Sequence, residues 1–168
     1  QGQTRNLVRA REKEQAVALI LNSFPAMTVR DPQGRSIAAD ELLLAVSLLP
    51  AKDRRRTKAL QNLTAILNDY TAQPMPSAQR LFLMREAGAA GGGPFPTLGT
   101  ERLATEFLEA DQPRITGTAL QATALPGVWK LGAGRTILLF RTETVVRRIQ
   151  QVAKEYSTTG VEFVAVPP

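Results

Sequence analysis

Thr136-Ile137-Leu138-Leu139-Phe140-Arg141-Thr142 is the stretch on which the fold turns. Ile137 to Phe140 is apolar on both alternating faces, the pattern of a strand covered on two sides, and it predicts a central strand over 135–141. Thr142 then opens a segment with Val145, Ile149, Val152 and Tyr156 three and four residues apart, so a helix with those side chains inward is expected next. Upstream, Gly132-Ala133-Gly134 marks a turn from a strand at Val128–Leu131, and Gly117–Leu125, beyond Pro113, is β-like as well. Downstream, Gly160 precedes an apolar strand at Val161–Val166, and such a strand–helix–strand ending can pair in parallel through a right-handed crossover.

The middle of the chain reads as helix. Asp40 to Leu49 is apolar almost all round and stops before Pro50, as helices tend to. Asp53 is placed to cap a longer helix whose Leu60, Leu63, Ile66, Leu67 and Tyr70 form one stripe. Pro74 and Pro76 end it, and Ser77–Ala87 continues as helix through Leu81 and Phe82. Residues 88–99 hold five Gly and two Pro, which predicts a loop, either a plain linker or a lid over a pocket. Thr100 can cap a further helix with Leu103, Ala104, Phe107 and Leu108 on one face.

Before the helical middle, Ala26–Arg30 and Gly34–Ile37 flank Asp31-Pro32-Gln33 and predict a β-hairpin at 26–37. Leu7, Ala10, Val17, Leu21 and Phe24 space out a leading amphipathic helix of about five turns over residues 4–24, with its polar Arg5–Glu14 end projecting. The expected fold is therefore α+β: a long N-terminal helix, a helical middle, and a small mixed sheet built from the hairpin at 26–37 and strands within 117–166. It is read as a single domain over 1–168, with 4–24 as the projecting helix and 26–166 as the globular body. The chain begins within a helical pattern and ends after an apolar strand at Pro167-Pro168, so it is expected to be a piece of a longer protein.

Absent residue types bound the chemistry. With neither His nor Cys among 168 residues, there is no imidazole base, no thiolate nucleophile, no disulfide and no His- or Cys-ligated metal. Carboxylate pairs remain; Glu106 and Glu109 on one helix, and adjacent Asp40 and Glu41, are the candidates for a carboxylate-dependent hydrolase. Neither spacing by itself places two acids across a scissile bond, so the chain is read as no enzyme, with no cofactor and no metal. The net charge of +6 comes from 21 basic and 15 acidic residues, with the excess toward both ends. Without interleaved aromatics or a reading motif it does not mark a nucleic-acid partner. No run approaches the roughly 18 apolar residues of a membrane span.

Two places are candidates for binding. Arg141, Thr142 and Thr144 stand at a strand end and a helix start, where open sheets bind ligands and N–H groups point at anions, and the only tryptophan, Trp129, can line the same pocket. Equally well, Thr142 is only a helix cap, Arg141 a surface residue and Trp129 a packing anchor. Arg54, Arg55 and Arg56 crowd the first turn of the helix after Asp53, where the helix dipole disfavours cations by about a few tenths of a kcal/mol each. They suit an anionic surface or partner, or else form an ordinary solvated charge run.

The order of leading helix, hairpin around Asp31-Pro32-Gln33-Gly34-Arg35, helical middle and strands at 117–125, 128–131 and 135–141 resembles the PAS-like extracytoplasmic sensor domains of bacterial membrane receptors, the histidine kinases and chemoreceptors. The resemblance covers most of the chain and rests on element order. It implies a non-catalytic ligand-sensing or signal-input domain, periplasmic, with flanking membrane segments in the full-length protein. A small, anionic ligand near Arg141 and a homodimer through residues 4–24 are the partners expected. The alternative is an intracellular adaptor or scaffold that holds a partner or anionic surface through Arg54–Arg56.

Overall fold

A computed structural model describes residues 2–9, 12–23, 29–111, 119–133 and 136–156. The fold is α+β, with helices α1 (Gly2–Arg9), α2 (Lys13–Asn22), α3 (Ile37–Leu48), α4 (Arg54–Asn68), α5 (Ser77–Ala89), α6 (Leu98–Ala110) and α7 (Thr142–Tyr156). Strands β1 (Gln121–Ala122), β2 (Val128–Ala133) and β3 (Thr136–Arg141) complete it. The sequence reads as one body over 26–166, whereas the backbone packing divides the chain into two compact units, Gln1–Thr105 and Glu106–Pro168.

Unit 1 is helical and carries the core. α3 is central: its near-continuous apolar run lets it pack on α2, α4 and α5 at once, so Ala39, Leu42, Ala45 and Val46 are all buried. α4 contributes Leu60, Leu63, Ile66 and Leu67, and α5 contributes Leu83, Met84 and Ala87. Each fully buried Leu is worth about 2–3 kcal/mol of transfer free energy. Both helix starts are set locally: the Ser36 hydroxyl accepts the Ala39 amide at 3.3 Å, and Asp53 accepts the Arg55 amide at 2.8 Å. Tyr70, expected on the α4 stripe, lies instead in the turn beyond Asn68, and its ring is half-exposed.

Three expectations for unit 1 need correction. The leading segment is not one helix over 4–24 that projects. Two helices, α1 and α2, are described instead, and Glu12 just before α2 is not helical; its amide donates to Leu7 O five residues back. Thr4 is 3% exposed and its hydroxyl donates to Glu41 of α3, while Glu14 pairs with Arg55 of α4 at 2.7 Å. Because Ala16, Val17 and Ile20 are buried, the apolar face of α2 is already used within the unit.

The hairpin at 26–37 reduces, in the described residues, to an isolated bridge between Arg30 and Ser36, and it joins no sheet; residues 26–28 lie outside the described residues. Its turn is built as the composition demands: Asp31 Oδ1 accepts the amides of Gln33 and Arg35, and Gly34 supplies φ +77°. The Gly-rich segment is no lid. Gly93 N–H donates to Thr64, Asn68 donates to Pro94 O, and Phe95 packs against the core, so the connection from α5 to α6 is fastened along α4. A methyl group at Gly92 would sit 2.9 Å from both Ala87 O and Leu60 Cδ1, which explains the glycine there.

Unit 2 holds an antiparallel meander of order β1-β2-β3, with Trp129 opposite Phe140 and Val128 opposite Arg141. Among the described residues the sheet is therefore antiparallel rather than mixed, and β3 is an edge strand rather than a central one. The double-faced apolar run has a different outcome from the expected one: Ile137, Leu139 and Phe140 are half-buried and Leu138 is exposed. The strand read at 117–125 shortens to Gln121–Ala122 in the described part, and the strand read at 161–166 lies outside the described residues. α7 forms as expected, but no residue of it is buried, so its apolar stripe is not inward.

Candidate functional site

The most developed concavity described lies in unit 1, between one stripe of α3 and one stripe of α5. Asp40, Leu43, Leu44 and Ser47 recur at three- and four-residue spacing and so share a face of α3; Ala78, Phe82 and Glu86 do the same on α5. Between them runs an open groove of about 880 Å³, closed at one end by Pro76 and by Gln33 and Arg35 of the bridge loop. That volume falls in the range of small-molecule sites. Leu43 and Leu44 are partly buried against the core and form the apolar floor, while Phe82, 54% exposed, stands as a wall.

The polar end of the groove is held rigid from behind. Gln79 is buried, and its side chain clasps the Ser36 backbone from both sides: Oε1 accepts Ser36 N–H at 2.8 Å, and Nε2 donates to Ser36 O at 3.0 Å. The same Nε2 also donates to Asp40 Oδ1 at 2.9 Å. The other Asp40 oxygen faces the Arg35 guanidinium at 3.5 Å, and Asp31 faces Arg35 Nε at 3.7 Å. Asp40 is therefore spent on structure. Arg35, with 53% of its side chain exposed and only long pairings, keeps donors for a ligand. Such a set can hold an apolar body by contact and an anionic head group by charge. Ser47 donates to Leu44 O at 2.7 Å, which leaves Glu86 as the acidic group at the far end.

A second polar cluster serves the fold. Arg80 is fully buried; its guanidinium donates to the carbonyls of Ile66, Leu67 and Gln73, capping the end of α4, and lies 4.0 Å from the Tyr70 ring centre. Glu101, buried in the first turn of α6, neutralises it with Oε1 at 3.7 Å from Arg80 Nε, and Oε1 also accepts the Tyr70 hydroxyl at 2.6 Å. Partial burial, and then the bond to the Glu101 carboxylate, push the Tyr70 phenol up from its ordinary value.

The residues singled out in the sequence fall elsewhere. Trp129 and Thr142 do meet, but they satisfy each other: Trp129 Nε1 donates to Thr142 Oγ1 at 2.9 Å, and Thr142 donates its backbone N–H at 2.9 Å and its hydroxyl at 3.2 Å to Gly127 O. This clasp ties the end of β3 to the turn before β2. Arg141 and Thr144 are exposed beside it, and among the described residues the strand order β1-β2-β3 has no reversal of the kind that forms a ligand crevice.

Two of the three clustered arginines have structural partners. Arg55 bridges Asp53 and Glu14, which holds both carboxyls below the usual range by hydrogen bonding and raises the guanidinium further. Arg56 donates to Val46 O and Ala90 O. Arg54 alone is exposed without such bonds among the described residues. The carboxylate candidates are likewise apart in duty: Asp40 serves Gln79 and Arg35, Glu41 accepts from Thr4, and Glu106 and Glu109 sit exposed on α6. Among the described residues no cluster of three acidic side chains could hold a metal, and no helix is long and apolar enough to cross a membrane.

In the sequence Phe82 reads only as an apolar helix position and Arg35 only as part of a turn, and Leu43, Leu44 and Gln79 carry no sign of a site. The available signal is one of phase. If Leu83, Met84 and Ala87 face the core, Phe82 must stand off that face, and a large aromatic so placed needs a reason. No protein-family model matches the chain, and no curated protein or solved structure does either.

Proposed function

We propose that the chain is a non-catalytic ligand-sensing or signal-input domain of a membrane-bound signal-transduction protein, and that its ligand enters the α3–α5 groove of unit 1. The observation that carries this reading is the groove itself: an apolar floor and an exposed Phe82 wall, with Arg35 at one end over a prebuilt Gln79–Ser36–Asp40 frame. A frame that is already bonded lets a ligand bind without paying to order the site. The ligand class is a small amphipathic molecule with an apolar body and an anionic head. Such a site replaces the one expected at Arg141, because there the Trp129 and Thr142 polar groups are already consumed.

The test is a fluorescence titration of the whole chain with anilinonaphthalene sulfonate, an aromatic body carrying one anionic group. Phe82→Asp and Arg35→Ser should each weaken binding at least about tenfold, equivalent to about 1.4 kcal/mol, with unchanged far-UV circular dichroism. Ile149→Glu, a change in unit 2 that touches no groove residue, should leave the affinity unchanged. Equal affinity in the wild type and both groove variants would remove the groove from consideration. The signalling assignment is tested separately by the full-length reading frame, which should encode flanking apolar spans and a downstream signalling domain.

A further inference from the structure

α7 is built as an interaction surface. Its apolar residues Val145, Ile149, Val152 and Tyr156 alternate in steps of four and three, the spacing of a coiled-coil seam, and Val146 and Ala153 widen the same stripe on one flank. None of these is buried: Ile149 is 45% exposed and Tyr156 56% exposed, with the others half-buried. A fifteen-residue helix with an apolar stripe draws its stability from covering that stripe, not from propensity.

The charges beside the stripe say what fits it. Arg148 and Glu155 lie one heptad apart on the flank opposite Val146 and Ala153. When two such helices run antiparallel, with Ile149 of each layered on Val152 of the other, Arg148 of each copy comes opposite Glu155 of its mate, and Val146 meets Ala153. The chain is thus complementary to itself in that direction: two ion pairs on one side and an apolar margin on the other. In a parallel pair Arg148 would instead face Ala153 of its mate, and no charge would be matched. Within the helix, Arg148 donates to Gln151 and Gln151 to Glu155, a ladder that sets both charged groups along this flank while leaving further guanidinium N–H groups and a second carboxylate oxygen for the mate.

We infer that α7 forms an antiparallel pair with α7 of a second copy of this chain. This moves the homodimer contact from residues 4–24, where Ala16, Val17 and Ile20 are buried within unit 1, to 145–156. A seam of four layers is a small interface, so the dissociation constant is expected on the order of 10 µM.

Sedimentation velocity of the whole chain across that range tests it. The mass should rise with concentration from 18.3 kDa to twice that value. Ile149→Glu should hold the chain at the lower mass with unchanged circular dichroism. Arg148→Glu and Glu155→Arg, each replacing two attractions by two repulsions, should each weaken the dimer about tenfold, and the double exchange should restore it. A dimer that survives Ile149→Glu would overturn the inference, as would a double exchange that fails to restore association. A chain that stays at the lower mass at every concentration while Ile149→Glu lowers its melting temperature would mean that another part of the same chain covers α7, and would overturn it too.

Discussion

α4 and α7 are both fifteen-residue helices with an aliphatic stripe at three- and four-residue spacing, and they meet opposite fates. Leu63 of α4 is fully buried among Leu42, Leu67 and Leu83, whereas Ile149 of α7 is 45% exposed. The difference is one of partners, not of pattern. α4 is packed by α3 and α5, and its polar end is sealed by Arg80, Tyr70 and Glu101. α7 follows β3 directly, and in unit 2 only Phe107 and Val128 among the described apolar residues are buried. Unit 1 is thus a finished core that presents a groove, and unit 2 a meander and helix that present an apolar face.

The largest effect should come from the seal on α4. Arg80→Ala leaves Glu101 buried without its counter-charge and the Leu67 and Gln73 carbonyls without their donor, at a cost of about 3–5 kcal/mol in urea denaturation. Leu63→Ala should cost about 2–5 kcal/mol in the same measurement, and Ile149→Ala, measured on dilute protein, under about 1 kcal/mol. Similar losses at Leu63 and Ile149 would break the contrast between the two helices.

Alkali should act on the same seal. Burial and the Glu101 carboxylate raise the Tyr70 phenol, so the folded chain keeps that proton better than the unfolded chain does. The stability this contributes is complete below about pH 10, the ordinary phenol value, and is lost as pH rises through the raised one. The hydrogen bond to Thr97 and, less strongly, the Arg80 charge work in the opposite direction. Melting temperature should fall more steeply above about pH 10 in the wild type than in Tyr70→Phe; parallel curves would show that Tyr70 is not the group responsible.

Much of unit 1 is legible in the sequence because its signals are local. The apolar run ending at Pro50, the Asp53 cap and the Asp31-Pro32-Gln33-Gly34 turn depend on neighbours within a few residues. The duties of Arg55 and Arg56 are not legible, since their partners Glu14 and Ala90 lie 41 and 34 residues away, and three adjacent arginines read as a surface cluster. The groove is hidden for a related reason: it needs the stripes of α3 and α5 in mutual phase, and sequence spacing gives each stripe without the other. In unit 2, the run Ile137–Phe140 and the stripe of α7 declare that apolar surface must be covered, but not whether the cover comes from the same chain. Trp129 and Thr142, read as a ligand pair, are brought together as a clasp, because a strand end and a helix start that fit a ligand also fit each other.

Hydrogen–deuterium exchange of the whole chain, run at concentrations below and above about 10 µM, tests the contrast most directly. Amides of α3, α4 and α5 should exchange slowly and at a rate independent of concentration, since their protection comes from one chain's own core. Amides of α7 should exchange fast in dilute protein and become about tenfold more protected as concentration rises. Protection of α7 equal to that of α4 in the most dilute sample, and unchanged on concentration, would contradict the account of unit 2 as a surface awaiting its second copy.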